Sequence, residues 1–332
     1  LTELRLGLVG AGAVGALHAE AATAVPGVRV NAVCDPNLEA AHRLAAPHGA
    51  RVHATHHDLI ASGEVDAVLV NTPHALHTAI VRDAAAAGLH VLVEKPMATT
   101  LADTDLMIDA CARAGVRLAV GHIQRFLPAK AAAMAALAEG EIGAPLLLSD
   151  RRGSDYRPGS RPAWFLDPAV SGGGVLINIG AHCVDRLLWL TGRRAEQVEA
   201  TVHGSPIETD ALVRLSLTGG LTAQITVTST GPPPAHDELT VVGERGSLVV
   251  SASAGAALHR DGATTWLHRT APGDIAAAFA AQLTDFAHAV RHGVEPAVTG
   301  AHGRHVVQVV LAAYASAAEG RPVATEVLVG QP

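Results

Sequence analysis

Leu4-Arg5-Leu6-Gly7-Leu8-Val9 runs directly into Gly10-Ala11-Gly12-Ala13-Val14-Gly15, and an alanine-rich segment with helical spacing follows to Ala24. A short apolar run, a turn with glycines at the spacing G-x-G-x-x-G and a helix opening form the first unit of a parallel β-α-β fold. Gly10 permits the tight turn, Gly12 lets phosphates approach the backbone, and Gly15 lets helix lie close on strand. The first helical turn, with Ala13 and Val14, offers unpaired N–H groups that suit a pyrophosphate. Twenty positions after Gly15, Asp35 closes the next β-branched run, Val28–Cys34. Its carboxylate can accept hydrogen bonds from the adenosine ribose hydroxyls and would repel a 2′-phosphate. The stretch therefore predicts a Rossmann domain that binds NAD, with NAD favoured over NADP.

The same alternation continues outward to Gly121. Further strands read at Ala67–Val70, His90–Val93 and Arg117–Gly121, with a short one near Arg51–His53. Helices read at Val14–Ala24, Leu38–His48, Leu76–Ala87 and Leu101–Ala114, the last capped by Thr100 or Thr99. Asn71-Thr72-Pro73 ends a strand at the carboxyl edge, where it can touch the nicotinamide-side ribose. His77, on the next turn, is placed with these cofactor-side residues; neither it nor His74 is read as a catalyst.

Past Gly121 the texture changes. A helix over Pro128–Glu139 leads to a strand at Pro145–Asp150 and a polar loop, Arg151–Pro168, holding Tyr156 and Trp164. Glycines 172 to 174 open a helical segment, Val175–Leu190. From Val198 to Leu267 short alternating runs, among them Ala211–Leu217, Thr222–Thr228 and Leu239–Val242, predict an antiparallel sheet. Pro232-Pro233-Pro234 marks an ordered break. Helices at Asp274–His292 and Ala301–Glu319 close the chain. The fold class is α/β: a Rossmann domain over 1–122, and over 123–332 a substrate-binding and oligomerisation domain with a large, mainly antiparallel open sheet. A C-terminal segment is free to pack back on the first domain.

Bulk composition narrows the function. With 332 residues, 49% hydrophobic and 17% charged, the chain is long enough for two cores and is neither disordered nor fibrous. A net charge of -7 without runs of Lys or Arg argues against nucleic acid or an anionic membrane as partner. No apolar stretch approaches a bilayer span and the strand Leu4–Val9 lacks the flanks of a signal peptide, so the expected location is the cytoplasm. Cys34, Cys111 and Cys183 are far apart and read as reduced, buried thiols. No histidine and acidic residues stand at metal-ligand spacing, so no metal is expected.

Of the 24 basic residues only Lys95 and Lys130 are lysines. Where arginine supplies nearly every positive charge, a retained lysine draws attention to proton chemistry, because an ammonium can titrate and a guanidinium cannot. Lys95 lies in Glu94-Lys95-Pro96, at the carboxyl end of a strand on the cofactor edge. There it can donate to a substrate hydroxyl oxygen, while Glu94 holds the cofactor or orients the lysine. The second constellation is Gly172-Gly173-Gly174-Val175-Leu176-Ile177-Asn178-Ile179-Gly180-Ala181-His182-Cys183-Val184-Asp185. Helical spacing puts Asn178, His182, Asp185 and Trp189 on one stripe, and a polar stripe in an apolar helix needs partners or a ligand. His182 suits acceptance of a hydroxyl proton, and Asp185 is close enough to orient it.

Together, Gly10–Gly15, Asp35, Glu94-Lys95-Pro96, Gly121-His122-Ile123-Gln124-Arg125-Phe126 and the Gly172–Asp185 block resemble the glucose-fructose oxidoreductase / inositol dehydrogenase / rhizopine-catabolism (Gfo/Idh/MocA) family over nearly the whole chain. The resemblance implies NAD-dependent oxidation or reduction of a sugar, cyclitol or related polyol. It also implies a homodimer or homotetramer, often packed through the open sheet. It assigns Lys95, Asn178 and His182 to the substrate hydroxyl and its proton, and His122 and Arg125 to the substrate side, with Trp164 and Tyr156 offering an apolar face. The position often occupied by Asp is here Asn178. An amide can bond a hydroxyl but cannot take its proton, so His182 becomes the acid/base candidate. Two other readings use the same fold: a redox-neutral enzyme that oxidises a ring carbon transiently to cleave a glycosidic bond, and a non-catalytic NAD-binding sugar sensor.

Overall fold

The computed structural model describes residues 3–156, 159–229 and 236–326. The chain divides into two units, Leu1–Ile123 with Ile275–Arg304, and Gln124–Asp274 with His305–Pro332.

The first unit is built on six parallel strands, β1 (Leu4–Val9), β2 (Val28–Cys34), β3 (Arg51–His53), β4 (Ala67–Val70), β5 (His90–Glu94) and β6 (Leu118–Gly121), in the order β3-β2-β1-β4-β5-β6. The intervening helices are α1 (Ala13–Ala24), α2 (Leu38–Ala45), α3 (His56–Ala61), α4 (His77–Ala86) and α5 (Leu101–Ala114). Helices cover the central strands, which is why β4 reads as a continuous apolar run; all of β4 is buried, as are Leu4, Leu6 and Leu8 of β1. Residues from beyond the second unit complete this core: Phe279, Leu283, Phe286 and Val290 pack with Leu6, Val30 and Ala22 in one cluster. The reversal of strand order falls between β1 and β4, and every strand end that carries a candidate site residue lies on the carboxyl edge.

Thr100 caps α5, accepting a hydrogen bond from the Asp103 N–H. Sequence periodicity missed α3, which is too short for a periodic signal; its trace was Thr55 three residues before Asp58, the same capping pattern that Thr100 and Asp103 make.

The second unit begins with α6 (Pro128–Ala138), β7 (Pro145–Gly153) and a single turn, α7 (Pro168–Ser171). The segment expected as one helix over Val175–Leu190 is a π-helical turn, Leu176–Gly180, running into α8 (Ala181–Thr191). Gly180 fits this wider turn, since a Cβ there would come within 2.7 Å of the Leu176 side chain. The sheet follows with β8 (Ala195–His203), β9 (Asp210–Leu217), β10 (Leu221–Thr228), β11 (Asp237–Gly243), β12 (Gly246–Ser251), β13 (Gly255–Arg260) and β14 (Ala263–Arg269). Helices α9 (Asp274–His292) and α10 (Gly300–Glu319) precede a two-residue edge strand, β15 (Val323–Ala324).

The nine strands run in the order β14-β13-β12-β11-β7-β10-β9-β8-β15. Every pairing is antiparallel except β7 with β10, which is parallel, so the sheet is mixed and mainly antiparallel. β9 shows why one face is covered and the other open: Ala211, Val213, Leu215 and Leu217 are buried and alternate with Leu212, Arg214 and Ser216. The buried face meets α8, including Val184, Leu187 and Leu188, in the second hydrophobic cluster. Pro232-Pro233-Pro234 lies outside the described residues.

Candidate functional site

Three strand ends in the first unit converge on the glycine turn. The Gly10 N–H donates to the Cys34 carbonyl and the Asn71 N–H to the Val9 carbonyl, both at 2.8 Å. Gly10 has φ +105°, and a Cβ there would lie 2.7 Å from the Asn71 carbonyl oxygen. A Cβ on Gly15 would lie 2.3 Å from the Gly10 oxygen, so the helix could not enter as it does. Gly12 is different: a Cβ there would meet nothing within 4 Å, leaving open the space that a phosphate would take. Gly12 is the N-cap of α1, and the helix has neither a side-chain cap nor an acidic residue in its first turn. The amides of Ala13 and Val14 thus stay available to an anion.

Asp35 stands beside this turn. Its Oδ2 accepts the Ala11 N–H and its Oδ1 the Asn37 N–H, each at 2.8 Å. Each oxygen keeps a lone pair, so the carboxylate is fixed in place and still able to receive ribose hydroxyls. After β4, the Asn71 Oδ1 and Thr72 Oγ1 are buried and make no hydrogen bond among the described residues. Buried polar atoms without partners are costly, and a bound polar ligand would satisfy both. The residues present therefore fit NAD on both the phosphate and ribose sides.

Glu94 and His77 are both buried. Glu94 is turned inward and buried: Oε1 is 3.0 Å from the buried His18 Nε2, and Oε2 accepts the Lys95 N–H at 3.1 Å. Glu94 thus bonds directly to the backbone of Lys95. Burial pushes the Glu94 carboxyl up, but the hydrogen bond and charge of His18, with Lys95 beside it, outweigh that and hold it below the ordinary range. Gly121 makes room, since a Cβ there would come within 2.8 Å of the Glu94 Oε1. His77, expected with the cofactor residues, is fully buried among protein carbonyls: Nε2 is 2.9 Å from the Thr72 oxygen, and Nδ1 is 3.1 Å from that of Pro96. His18 was absent from the sequence reading; three residues past Gly15, it had no signal beyond a lone histidine on an otherwise apolar helix. His122 follows β6 directly and is buried, its ring edge-on to His302 at 6.1 Å.

The second unit pairs Asn178 with Tyr156 and Asp185 with Arg125. Asn178 and His182 are buried, Asn178 on the π-turn and His182 in the first turn of α8. The π-turn adds a residue to the stretch that carries Asn178, which offsets it from the stripe of an unbroken α-helix; such turns recur at functional sites. The Asn178 Nδ2 donates to the Tyr156 hydroxyl. Burial pushes the Tyr156 phenol up to about 12, so it stays neutral. Arg161 lies over the Tyr156 ring at 4.5 Å, and Trp164 stacks on Phe165 at 3.8 Å, making one aromatic cluster of the polar loop.

Asp185 is fully buried, and its Oδ1 accepts both Nε and a terminal nitrogen of Arg125, at 3.0 and 2.9 Å. The carboxylate assigned to orient His182 is thus matched to the guanidinium assigned to the substrate. Arg125 also lies 5.8 Å from the Trp189 ring. A charge already neutralised by a buried partner is a weaker grip for an anionic substrate than a free one.

The glycine block has a physical reason that composition did not reveal. Glu208 receives the Gly174 N–H on Oε2 at 2.8 Å and the Leu176 N–H on Oε1 at 2.9 Å, while its backbone oxygen takes the Val175 N–H. Tyr314 donates to Glu208 Oε1 and accepts the Ile177 N–H. Burial and the Glu208 carboxylate hold the Tyr314 phenol well above its ordinary value. A Cβ on Gly174 would fall 2.0 Å from the Glu208 oxygen, and one on Gly173 2.3 Å from the Tyr314 hydroxyl. The glycines exist so that Glu208 and Tyr314 can cap the helix bearing Asn178 and His182.

Among the described residues, the one trio close enough to share a metal ion is His56, His57 and Asp83, whose ligand atoms lie within 4.8 Å of one another. A 2.9 Å contact between His56 Nε2 and Asp83 Oδ2 accounts for that closeness. No helix among the described residues is long and apolar enough to cross a membrane.

A glycine turn with an acidic residue locked beside it, on a parallel sheet of this order, defines the first unit as the NAD-binding domain of an oxidoreductase. Residues 4–122 match the model of the oxidoreductase family with an NAD-binding Rossmann fold, and residues 131–249 match the GFO/IDH/MocA C-terminal domain. The chain belongs to the GFO/IDH/MocA family of oxidoreductases. It is 29% identical to inositol 2-dehydrogenase of Rubrobacter xylanophilus, over 98% of this chain and 94% of that protein. To UDP-N-acetylglucosamine 3-dehydrogenase of Acidithiobacillus ferrooxidans it is 31% identical, over 71% of this chain and 70% of the other. GenD2 from gentamicin A biosynthesis, solved in complex with NAD, superposes with a TM-score of 0.88 at 27% identity, covering 98% of this chain and 97% of its own.

Proposed function

We propose that the chain is an NAD-dependent dehydrogenase or reductase of a cyclitol, a sugar or a sugar derivative, with His182 as the group that exchanges the hydroxyl proton. NAD, when bound, supplies the acceptor for the hydride that leaves the substrate's ring carbon. The observation that carries the reading is the buried polar pair Asn178 and His182 on a helix whose N-terminus is capped by Glu208 and Tyr314. The pair sets an amide and an imidazole on one otherwise apolar segment, groups able to bond a hydroxyl and to take its proton. The Asn178 amide is neither acid nor base near neutral pH, and Tyr156 stays a neutral phenol, which leaves the imidazole for the proton. Lys95 donates to the hydroxyl oxygen and stabilises its developing negative charge. The substrate class is supported by relatives named for a cyclitol and for a nucleotide-linked sugar.

The same reading makes the enzyme a cytoplasmic homodimer or homotetramer that packs through the open face of its sheet. On that face Leu147 of β7, Val242 of β11 and Leu212 of β9 are exposed large apolar residues; the first two are direct register partners. Exposed apolar side chains grouped on one sheet face suit a second copy of that face.

The test is a panel of inositols, pyranoses, uronic acids and nucleotide-linked sugars offered with NAD and with NADP, following reduced nicotinamide. We expect turnover with NAD on at least one cyclitol or pyranose, and a fall of roughly 10²- to 10⁴-fold in kcat for His182→Ala with NAD affinity unchanged. Full turnover by His182→Ala would overturn the assignment of the proton.

A further inference from the structure

We propose that two buried histidines, His18 and His77, clamp the Glu94-Lys95-Pro96-Met97 turn from its two sides and thereby set the position of Lys95. The proposal rests on the role given to Lys95 above. Neither ring is exposed, so neither can touch a substrate; both are positioning residues.

On one side the chain of contacts is His18 Nε2 to Glu94 Oε1 at 3.0 Å, then Glu94 Oε2 to the Lys95 N–H at 3.1 Å. His18 is itself fixed, its ring edge-on to Phe279 at 4.9 Å. Glu94 cannot slide toward β6, because it already fills the space over Gly121, its register partner. A carboxylate taken out of water needs a donor for each oxygen, and His18 is the side chain that serves Oε1. On the other side, the His77 Nδ1 faces the carbonyl oxygens of Pro96 and Met97 at 3.1 and 3.3 Å, and Nε2 faces that of Thr72 at 2.9 Å. Burial lowers the ring's affinity for a second proton, so its single N–H donates to one turn while the other nitrogen only packs against the carbonyl facing it, and the ring sits as a wedge between the turn after β5 and the Asn71-Thr72 turn after β4. The turn that carries Lys95 is thus bonded through Glu94 on one side and packed against the His77 ring on the other, which sets its reach relative to the Asn71-Thr72 turn. Displacement of a reacting group by about 1 Å costs roughly 10²-fold in rate.

The chain's lysine content supplies a readout that does not depend on a substrate. Lys95 and Lys130 are its only lysines, so reductive methylation with ¹³C gives at most two lysine signals, assigned with Lys95→Arg and Lys130→Arg. We expect His18→Leu and His77→Leu, in the full chain, to shift or broaden the Lys95 signal and leave that of Lys130 in place. His18→Gln, whose amide can still donate to Glu94, should restore the wild-type signal. With a substrate in hand, both Leu variants should lose about 10- to 100-fold in kcat, with KM and the NAD Kd within about threefold. Unchanged Lys95 signals in both Leu variants would overturn the clamp, as would equal effects of His18→Leu and His18→Gln. Should the Leu variants fail to fold, His18→Gln and His77→Gln decide: the first should keep the wild-type Lys95 signal, the second, whose amide does not fill the ring's place between the two turns, should move it, and an unmoved signal in His77→Gln would overturn the clamp. If Lys95→Ala keeps full turnover, the proposed function has failed, while the signals still judge the clamp.

Discussion

Asp35 carries the choice of cofactor at the level of one carboxylate. Both its oxygens are anchored by backbone amides, so it cannot swing away from a 2′-phosphate. Asp35→Ser is expected to raise the KM for NAD roughly tenfold and to narrow its advantage over NADP, as read by initial rates with each cofactor. A second residue-scale prediction concerns Lys130, which lies 2.9 Å from Asp237 in a buried network with Arg186 and Asp150. Burial first, and then the nearby Arg186, hold the Lys130 amine down to about 7. Between that value and the unfolded lysine's, the unfolded chain binds more protons, so this group makes stability rise with pH from about 7 to 10, by at most about 1.4 kcal/mol per pH unit. Lys130→Met should flatten that part of the denaturation midpoint against pH. The sequence singled out both lysines by their rarity, and only Lys95 lies in the motif at the cofactor edge. What Lys130 does depends on Asp237 and Arg186, 107 and 56 positions away, and no local pattern announces such a partner.

At the scale of elements, the decisive piece is the glycine-opened helix. Sequence spacing placed a helix there and picked out Asn178 and His182 within it. It could not foresee the π-turn, because one residue more or less per turn leaves the apolar pattern of Val175–Leu190 almost unchanged. Nor could it find the cap, whose parts, Glu208 and Tyr314, come from a loop and a helix far along the chain. Gly174→Ala should therefore cost several-fold to a hundredfold in kcat while NAD binding persists, since the clash with Glu208 displaces the helix and not the glycine turn. Gly15→Ala is the opposite case, and a binding titration should find NAD affinity lost. The parallel sheet was legible because buried parallel strands are continuous apolar runs set between helices of regular length. The one parallel pair in the second sheet, β7 with β10, escaped notice because alternation along a strand does not encode its direction.

At the scale of the whole molecule, the second unit carries a sheet with one face covered by α8 and the other open. Glu199 and Arg214, on neighbouring strands, form a surface pair on the open side. The apolar positions Leu147, Leu212 and Val242 share that side by register. Leu212→Lys with Leu147→Lys should shift the mass seen by light scattering toward the monomer, with the fold kept. Composition pointed to two cores and to a partner that is neither nucleic acid nor membrane. That residues 275–304 belong to the first unit is a matter of topology, and only the packing of Phe279 and Phe286 beneath β1 and β2 reveals it.

The central claim is net transfer of a hydride from a ring carbon, and stoichiometry with an isotope tests it most directly. A substrate from the panel, deuterated at the carbon that bears the reacting hydroxyl, is converted with excess NAD, and the products are examined by mass spectrometry. The account predicts one reduced nicotinamide per ketone formed, each carrying the deuterium. Release of a sugar without net reduced nicotinamide, or reduced nicotinamide without the label, would contradict it.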